Sequence, residues 1–177
     1  MDDHELLGQL LDREAVIEAC YRYSAAVDAT TRDQSDATFA AYAATITEDC
    51  VVDYGPFGRF ESRDEWLAFA RGLATRAGLS QHLYGNFFVE IDGDTAHATF
   101  NAQALHFWAD RPPSEQLLLA TAIFDNRLRR TADGWRLTQV RPDIQFVHDP
   151  GGGALRMFPS GATAGPAAVT PAPGPPG

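Results

Sequence analysis

Sulfur is scarce in this chain. Cys20 and Cys50 are the only cysteines, too few for a disulfide framework, and each sits in an apolar pattern that suits a buried free thiol in a reducing interior. Positive charge is also short: 14 arginines and lysines face 24 aspartates and glutamates, a formal net charge of -10 with a pI near 4.8. The arginines are scattered rather than clustered, which excludes the basic patch a nucleic-acid partner requires. No stretch of about 20 uninterrupted apolar residues exists, and the N-terminus opens on acidic residues instead of a basic region followed by an apolar run. The expectation is a soluble cytoplasmic chain with no membrane partner. Familiar catalytic signatures are missing as well: no H-E-x-x-H, no cysteine pair at zinc spacing, no G-x-S-x-G elbow, no P-loop and no G-x-G-x-x-G after a strand. The run Gly151 to Gly153 lies outside any strand-to-helix context. No metal and no cofactor are implied.

What remains is enough for one core. The chain has 177 residues, 45% hydrophobic and 11% aromatic, the size and composition of a single globular domain. Residues 1–150 are expected to form it. Residues 151–177 are different material: 13 of these 27 positions are Gly or Pro. Such a segment buries too little apolar surface to offset its ordering entropy, so a disordered Gly/Pro/Ala-rich tail is expected. The alternative is that Leu155, Met157 and Phe158 fold back as a lid.

Helical spacing runs over residues 5–29, with Val16, Cys20, Tyr23 and Val27 on one line and Ile17, Tyr21, Ser24 and Asp28 on the next. Asp28 therefore lies beside an apolar stripe. Phe39, Tyr42, Ala43 and Ile46 suggest a second helix. "SRDEWLAFARGL" suggests a third, with capping-box spacing between Ser62 and Glu65 and a stop at Gly78. "CVVDYG" reads as a short strand. Beyond Gly78 come alternating runs at about 82–91, 95–108, 116–130 and 134–147, split by "DGD", "DRPPSE" and "TADG". Helices first and an antiparallel meander second give an α+β domain whose helices cover one face of a curved sheet.

Strand parity shows what the covered face holds. Ala98, Phe100, Ala102, Ala104, His106 and Trp108 share one face, and small side chains under a helical layer leave room. In the last run Trp135, Leu137, Gln139, Arg141 and Asp143 share a face, a polar end following an apolar one. A cavity with polar groups toward one end is the inference. "SQHLYGN" sets His82 near its edge, where an imidazole could be a proton carrier, a metal ligand or an ordinary turn residue.

"RYSAAVD" on the first helix, "DCVVDYG" on the first strand, "QHLYGN" followed by "IDGDTAHA", and the closing "GWRLTQVRPDI" resemble the SnoaL-like branch of the nuclear transport factor 2-like superfamily. That branch includes scytalone dehydratase and a bacterial bile-acid 7α-dehydratase. The likeness spans about residues 10–147. It implies a cone-shaped α+β barrel and a hydrophobic small-molecule substrate. It does not fix the chemistry, because the fold hosts dehydratases, isomerases, cyclases and non-catalytic binders. By the same resemblance, His82, Asp28, Tyr54, Tyr23 and His106 fall on catalytic positions, and Arg141 falls near a functional arginine. Ala122 and Phe124 replace a serine and asparagine pair, which argues against scytalone itself. Trp108, Phe124, Asn86 and Arg141 are the candidate substrate contacts.

An imidazole takes and returns a proton near neutral pH, and a carboxylate beside an apolar stripe needs a partner to offset its burial. Asp28 holding His82 would meet both needs. The implied activity is a cofactor-independent lyase of dehydratase type on a hydroxylated polycyclic, polyketide-like or steroid-like molecule, with Tyr54 or Tyr23 steadying an oxyanion and His82 or His106 supplying the acid. Isomerisation or cyclisation through the same enolate is the near rival, and a non-catalytic hydrophobic-ligand-binding module the distant one. The family's sheets also imply a homodimer or homotrimer. His4, His97 and His148 read as surface residues, and Arg141 could simply pair with a carboxylate.

Overall fold

A computed structural model describes residues 2–76, 78–108 and 111–152. The expected tail, including the possible lid at Leu155, Met157 and Phe158, lies outside the described residues apart from Gly151 and Gly152.

Three helices come first. Helix α1 (Asp3–Arg32) starts at Asp2, whose carboxylate accepts from the Glu5 amide at 2.8 Å. Its second half buries Val16, Cys20, Tyr23 and Asp28, whereas its first turns present exposed Leu6, Leu7, Leu10 and Leu11. Helix α2 (Asp36–Ala43) is capped by Ser35 and buries Phe39 and Tyr42; Ile46 already belongs to the following strand. Helix α3 (Arg63–Ala74) is capped by Ser62, but the Glu65 carboxylate reaches back to the Glu61 amide rather than to that of Ser62. It also ends short of Gly78, where the Thr75 hydroxyl takes the Gly72 carbonyl at 2.8 Å.

The strands are β1 (Ile46–Asp53), β2 (Arg59–Phe60), β3 (Leu79–Asp92), β4 (Thr95–Phe107), β5 (Leu117–Thr131), β6 (Gly134–Val140) and β7 (Pro142–His148). They form one curved, unclosed sheet in the order β2-β1-β6-β5-β4-β3, with β7 also on β5. The sheet is mixed, not wholly antiparallel as expected: β1 runs parallel to β6. The chain between them, α3 and the four strands β2 to β5, is the long crossover a parallel pair needs. Helices lie against one face, which gives the α+β cone. Among the described residues no helix is long and apolar enough to cross a membrane.

The single last run expected over 134–147 is two strands. Pro142 has no N–H to continue the ladder, so β6 pairs with the C-terminal half of β5 and β7 with its N-terminal half.

Three β-bulges decide which side chains face inward. In β3, two residues, Asn86 and Phe87, stand against Phe100 alone, and Asn86 takes a left-handed φ of 58°. Ser80, His82 and Tyr84 point in before the bulge; Phe87, Val89 and Ile91 are the less exposed set after it, and Phe88 is 74% exposed. In β6, Thr138 is the extra residue between Leu137 and Gln139. The inward set therefore changes from Trp135 and Leu137 to Val140, Pro142 and Ile144. In β7, Gln145 is extra in the same way, and Val147 turns in.

Candidate active site

A cavity of about 170 Å³ lies between the helices and the inner face of β3, β4, β5 and β7. Its floor consists of four alanines in two cross-strand pairs, Ala102 opposite Ala122 and Ala104 opposite Ala120. With nothing beyond Cβ, these positions make a flat apolar surface. Phe100 stacks on Phe124 at 5.2 Å between centroids, and Tyr84 packs against both. Trp108 lines the cavity too, and its indole N–H is buried without a partner among the described residues.

Asp28 and His82 meet at one side. The Asp28 carboxylate accepts three hydrogen bonds: Oδ1 from the Ser80 hydroxyl at 2.8 Å and from His82 Nδ1 at 2.7 Å, and Oδ2 from the His82 backbone amide at 2.9 Å. Ser80 is itself held by Thr31 of α1. Burial pushes the Asp28 carboxyl up, but the hydrogen bonds and charge of His82, with the Ser80 hydroxyl, outweigh it and hold the group below the usual carboxylate range. An ionised carboxylate can only accept, so Nδ1 carries a hydrogen, and in the neutral ring the lone pair is the one on Nε2.

His106 stands edge-on to His82, with ring centroids 5.5 Å apart. Burial, reinforced by the charge of His82 and only partly opposed by Asp28, lowers His106 to about 4. Its ring is neutral at physiological pH.

The cavity is also phenolic. Tyr23, Tyr42, Tyr54 and Tyr84 all line the cavity. The Trp66 indole donates to the Tyr42 hydroxyl at 2.7 Å, and Tyr42 donates to the Tyr23 hydroxyl at 3.1 Å. Burial holds Tyr23, Tyr42 and Tyr84 above the usual phenol range and pushes Tyr54 up to about 12. All four remain protonated donors at neutral pH.

Of the residues nominated from sequence, His82, Tyr54, Tyr23, His106, Trp108 and Phe124 line the cavity, and Asp28 is bonded to one that does. Asn86 and Arg141 stand outside it. Asn86 is exposed and serves the β3 bulge, a left-handed position that asparagine tolerates better than most residues. The Thr138 bulge puts Arg141 on the outer face, where its guanidinium lies 3.9 Å from Asp125 with 60% of the side chain exposed. His97 shares that outer face, its Nε2 2.8 Å from Asp125. Sequence reasoning passed over Ser80, Tyr84, Tyr42 and Trp66 as site residues. Ser80 and Tyr84 were recoverable, since they flank His82 at i−2 and i+2 on one strand face. The Trp66–Tyr42 contact joins α3 to α2 and leaves no periodic signal. Among the described residues no group of three or more His, Cys, Asp or Glu side chains gathers as a metal site would. Cys20 and Cys50 are buried thiols, each pushed up to about 12 chiefly by burial.

The SnoaL-like domain model matches residues 8–141. An uncharacterised protein of Mycobacterium tuberculosis is 31% identical over 138 residues, covering 74% of this chain and 84% of that one. Among solved structures, a candidate scytalone dehydratase from Novosphingobium aromaticivorans superposes with a TM-score of 0.72 at 17% identity, covering 92% of this chain and 97% of the other. A hexachlorocyclohexane dehydrochlorinase from Novosphingobium barchaimii gives 0.61 at 14% identity, covering 81% and 95%. At such identities the structural likeness speaks for the fold alone.

Proposed function

Because the chain belongs to the SnoaL-like domain family, within the nuclear transport factor 2-like superfamily, we propose that its cavity carries out base-initiated elimination, of dehydratase type, on an apolar hydroxylated ring compound. The carrying observation is the 2.7 Å contact between Asp28 and His82 Nδ1 beside a largely apolar chamber. A pure binding module has no need of a carboxylate fixing an imidazole tautomer.

In this reading His82 Nε2 takes a proton from carbon next to a carbonyl. The C–H electron pair becomes the enolate double bond, and the new imidazolium is stabilised by Asp28. A cavity phenol donates to the enolate oxygen. When the carbonyl re-forms, the C=C bond is made and the β C–O bond breaks. The proton now on His82 leaves with the hydroxyl as water, and the base returns to its starting state. His106, neutral at physiological pH, can donate an N–H hydrogen bond but brings no extra proton, so His82 serves as both base and acid. The chain has no lysine, so no imine with a lysine side chain enters the scheme. Isomerisation and cyclisation share the proton-removal step and differ only in the fate of the enolate.

That shared step can be tested without the natural substrate. Incubated in deuterium oxide with 1-tetralone, the protein should speed deuterium uptake next to the carbonyl, and His82→Ala should reduce the rate to background. Equal rates with and without His82 would leave the cavity as a ligand-binding site only.

A further inference from the structure

We propose that Trp66 and Tyr42 are positioning residues that present the Tyr23 hydroxyl as a hydrogen-bond donor to an acceptor oxygen of the bound ligand.

The argument is a count of protons. Trp66 Nε1 can only donate, and it points at Tyr42 at 2.7 Å. Tyr42 and Tyr23 share one further hydrogen bond at 3.1 Å. The indole and the two phenols hold three polar hydrogens, while the chain uses two, so one phenolic hydrogen is left over. Neither tyrosine makes another side-chain hydrogen bond among the described residues, and both line the cavity. With the indole occupying Tyr42 and the Tyr42 hydrogen directed at Tyr23, the surplus hydrogen sits on Tyr23. A buried O–H without an acceptor is costly unless a ligand supplies one. Successive donation also polarises the terminal phenol.

The start of the relay is held rigidly. The Trp66 indole stacks on Tyr54 at 5.6 Å and meets Phe60 at 5.1 Å and Phe69 at 5.7 Å between centroids. Three rings thus fix where the indole N–H points. The Tyr23 and Tyr42 rings themselves meet edge-on at 5.4 Å. Such restraint is what separates a prearranged donor from a hydroxyl that must reorganise as charge develops. The ligand oxygen it suits is a carbonyl or enolate. This choice of oxygen rests on the elimination reading above; the donor relay does not.

The test measures the carbonyl stretch of bound 1-tetralone by infrared difference spectroscopy, together with its dissociation constant by titration. In the parent protein the band should lie below its position in an apolar solvent. Tyr23→Phe should return it to the apolar-solvent position and weaken binding roughly three- to tenfold. Trp66→Phe and Tyr42→Phe should each move the band part of the way back, although neither group touches the ligand. Trp66→His, which retains a ring N–H, should recover more of the shift than Trp66→Phe. His82→Ala should leave the band in place, so a failure of the proposed chemistry and a failure of the relay are read separately. Melting curves identify any variant that does not fold, and the Tyr23→Phe and Trp66→Phe pair carries the result if Tyr42→Phe is among them. An unshifted band in the parent protein, no binding of the ketone, or a band indifferent to Trp66→Phe would overturn the proposal.

Discussion

Replacing His106 by glutamine should make the protein more resistant to acid. His106 is lowered to about 4, first by burial, then by the charge of His82, with Asp28 pulling the other way. In the unfolded chain an imidazole titrates near 6.5. Between those values the unfolded state binds more protons than the folded one, so stability rises with pH through this window and is lost on acidification. The two pKa values predict a loss of roughly 2 kcal/mol between about pH 7.5 and about pH 5, attributable to this one side chain. For a chain of this length that is a fall of about 4–8 °C in Tm. His106→Gln keeps a polar group at the cavity but cannot titrate, so its loss over the same interval should be smaller by that amount. Asp28 does not confound the comparison. Its carboxyl is held below the usual range, so the stability it contributes is present above the unfolded carboxylate pKa and is lost only on further acidification. Urea unfolding of both proteins at both pH values, followed by tryptophan fluorescence, gives the double difference. Equal losses in the two proteins would show that His106 is not buried as a neutral ring.

Asp28→Asn should cost at least about a hundredfold in deuterium exchange, because an amide nitrogen facing Nδ1 reverses the imidazole tautomer and removes the Nε2 lone pair; nitrogen-15 shifts of His82 report that reversal directly. Ala104→Leu fills the floor, so it should weaken 1-tetralone binding at least about tenfold while changing Tm little, since space is already present; unaltered affinity would place the ligand elsewhere. Arg141→Ala should leave exchange within about twofold, because the guanidinium pairs with Asp125 outside the cavity. We also propose that the outer sheet face, with exposed Leu83, Phe88, Ile123 and Phe146, packs against a second copy. Light scattering should give a dimer or trimer, and monomer alone at micromolar concentration would argue against it.

Periodicity made the helices and the three long strand runs of β3, β4 and β5 legible, because each buries a face with a regular repeat, whereas the run over 134–147 is two strands. The Asp28 and His82 partnership could also be anticipated, since an acid beside an apolar stripe on α1 needs a partner and the resemblance to the SnoaL-like branch put His82 on a catalytic position. What failed was phase. Strand parity extrapolated through Thr138 put Arg141 and Asp143 on the cavity face, and a bulge leaves no mark in an alternating run. Pro142 was the available warning, since a strand interior rarely admits proline. Asn86 shows the same limit: asparagine next to glycine in "YGN" suits a left-handed residue, yet it was read as a ligand contact. The Trp66–Tyr42–Tyr23 chain escaped for a different reason. It joins three helices, and such contacts are fixed by packing angles rather than by spacing along the chain.

Thr138 acts as a frame marker for the end of the sheet. Downstream of it one set of side chains, Pro142 and Ile144, faces the chamber, while the alternate set, Arg141 and Asp143, faces outward. Deleting that one residue would exchange the sets and bring a guanidinium and a carboxylate to an apolar wall without altering a single codon at those positions. Ligand preference in this scaffold is therefore exposed to insertions and deletions far from the acid–base pair, and relatives whose residues align well over β7 can still present different chemistry to what they bind.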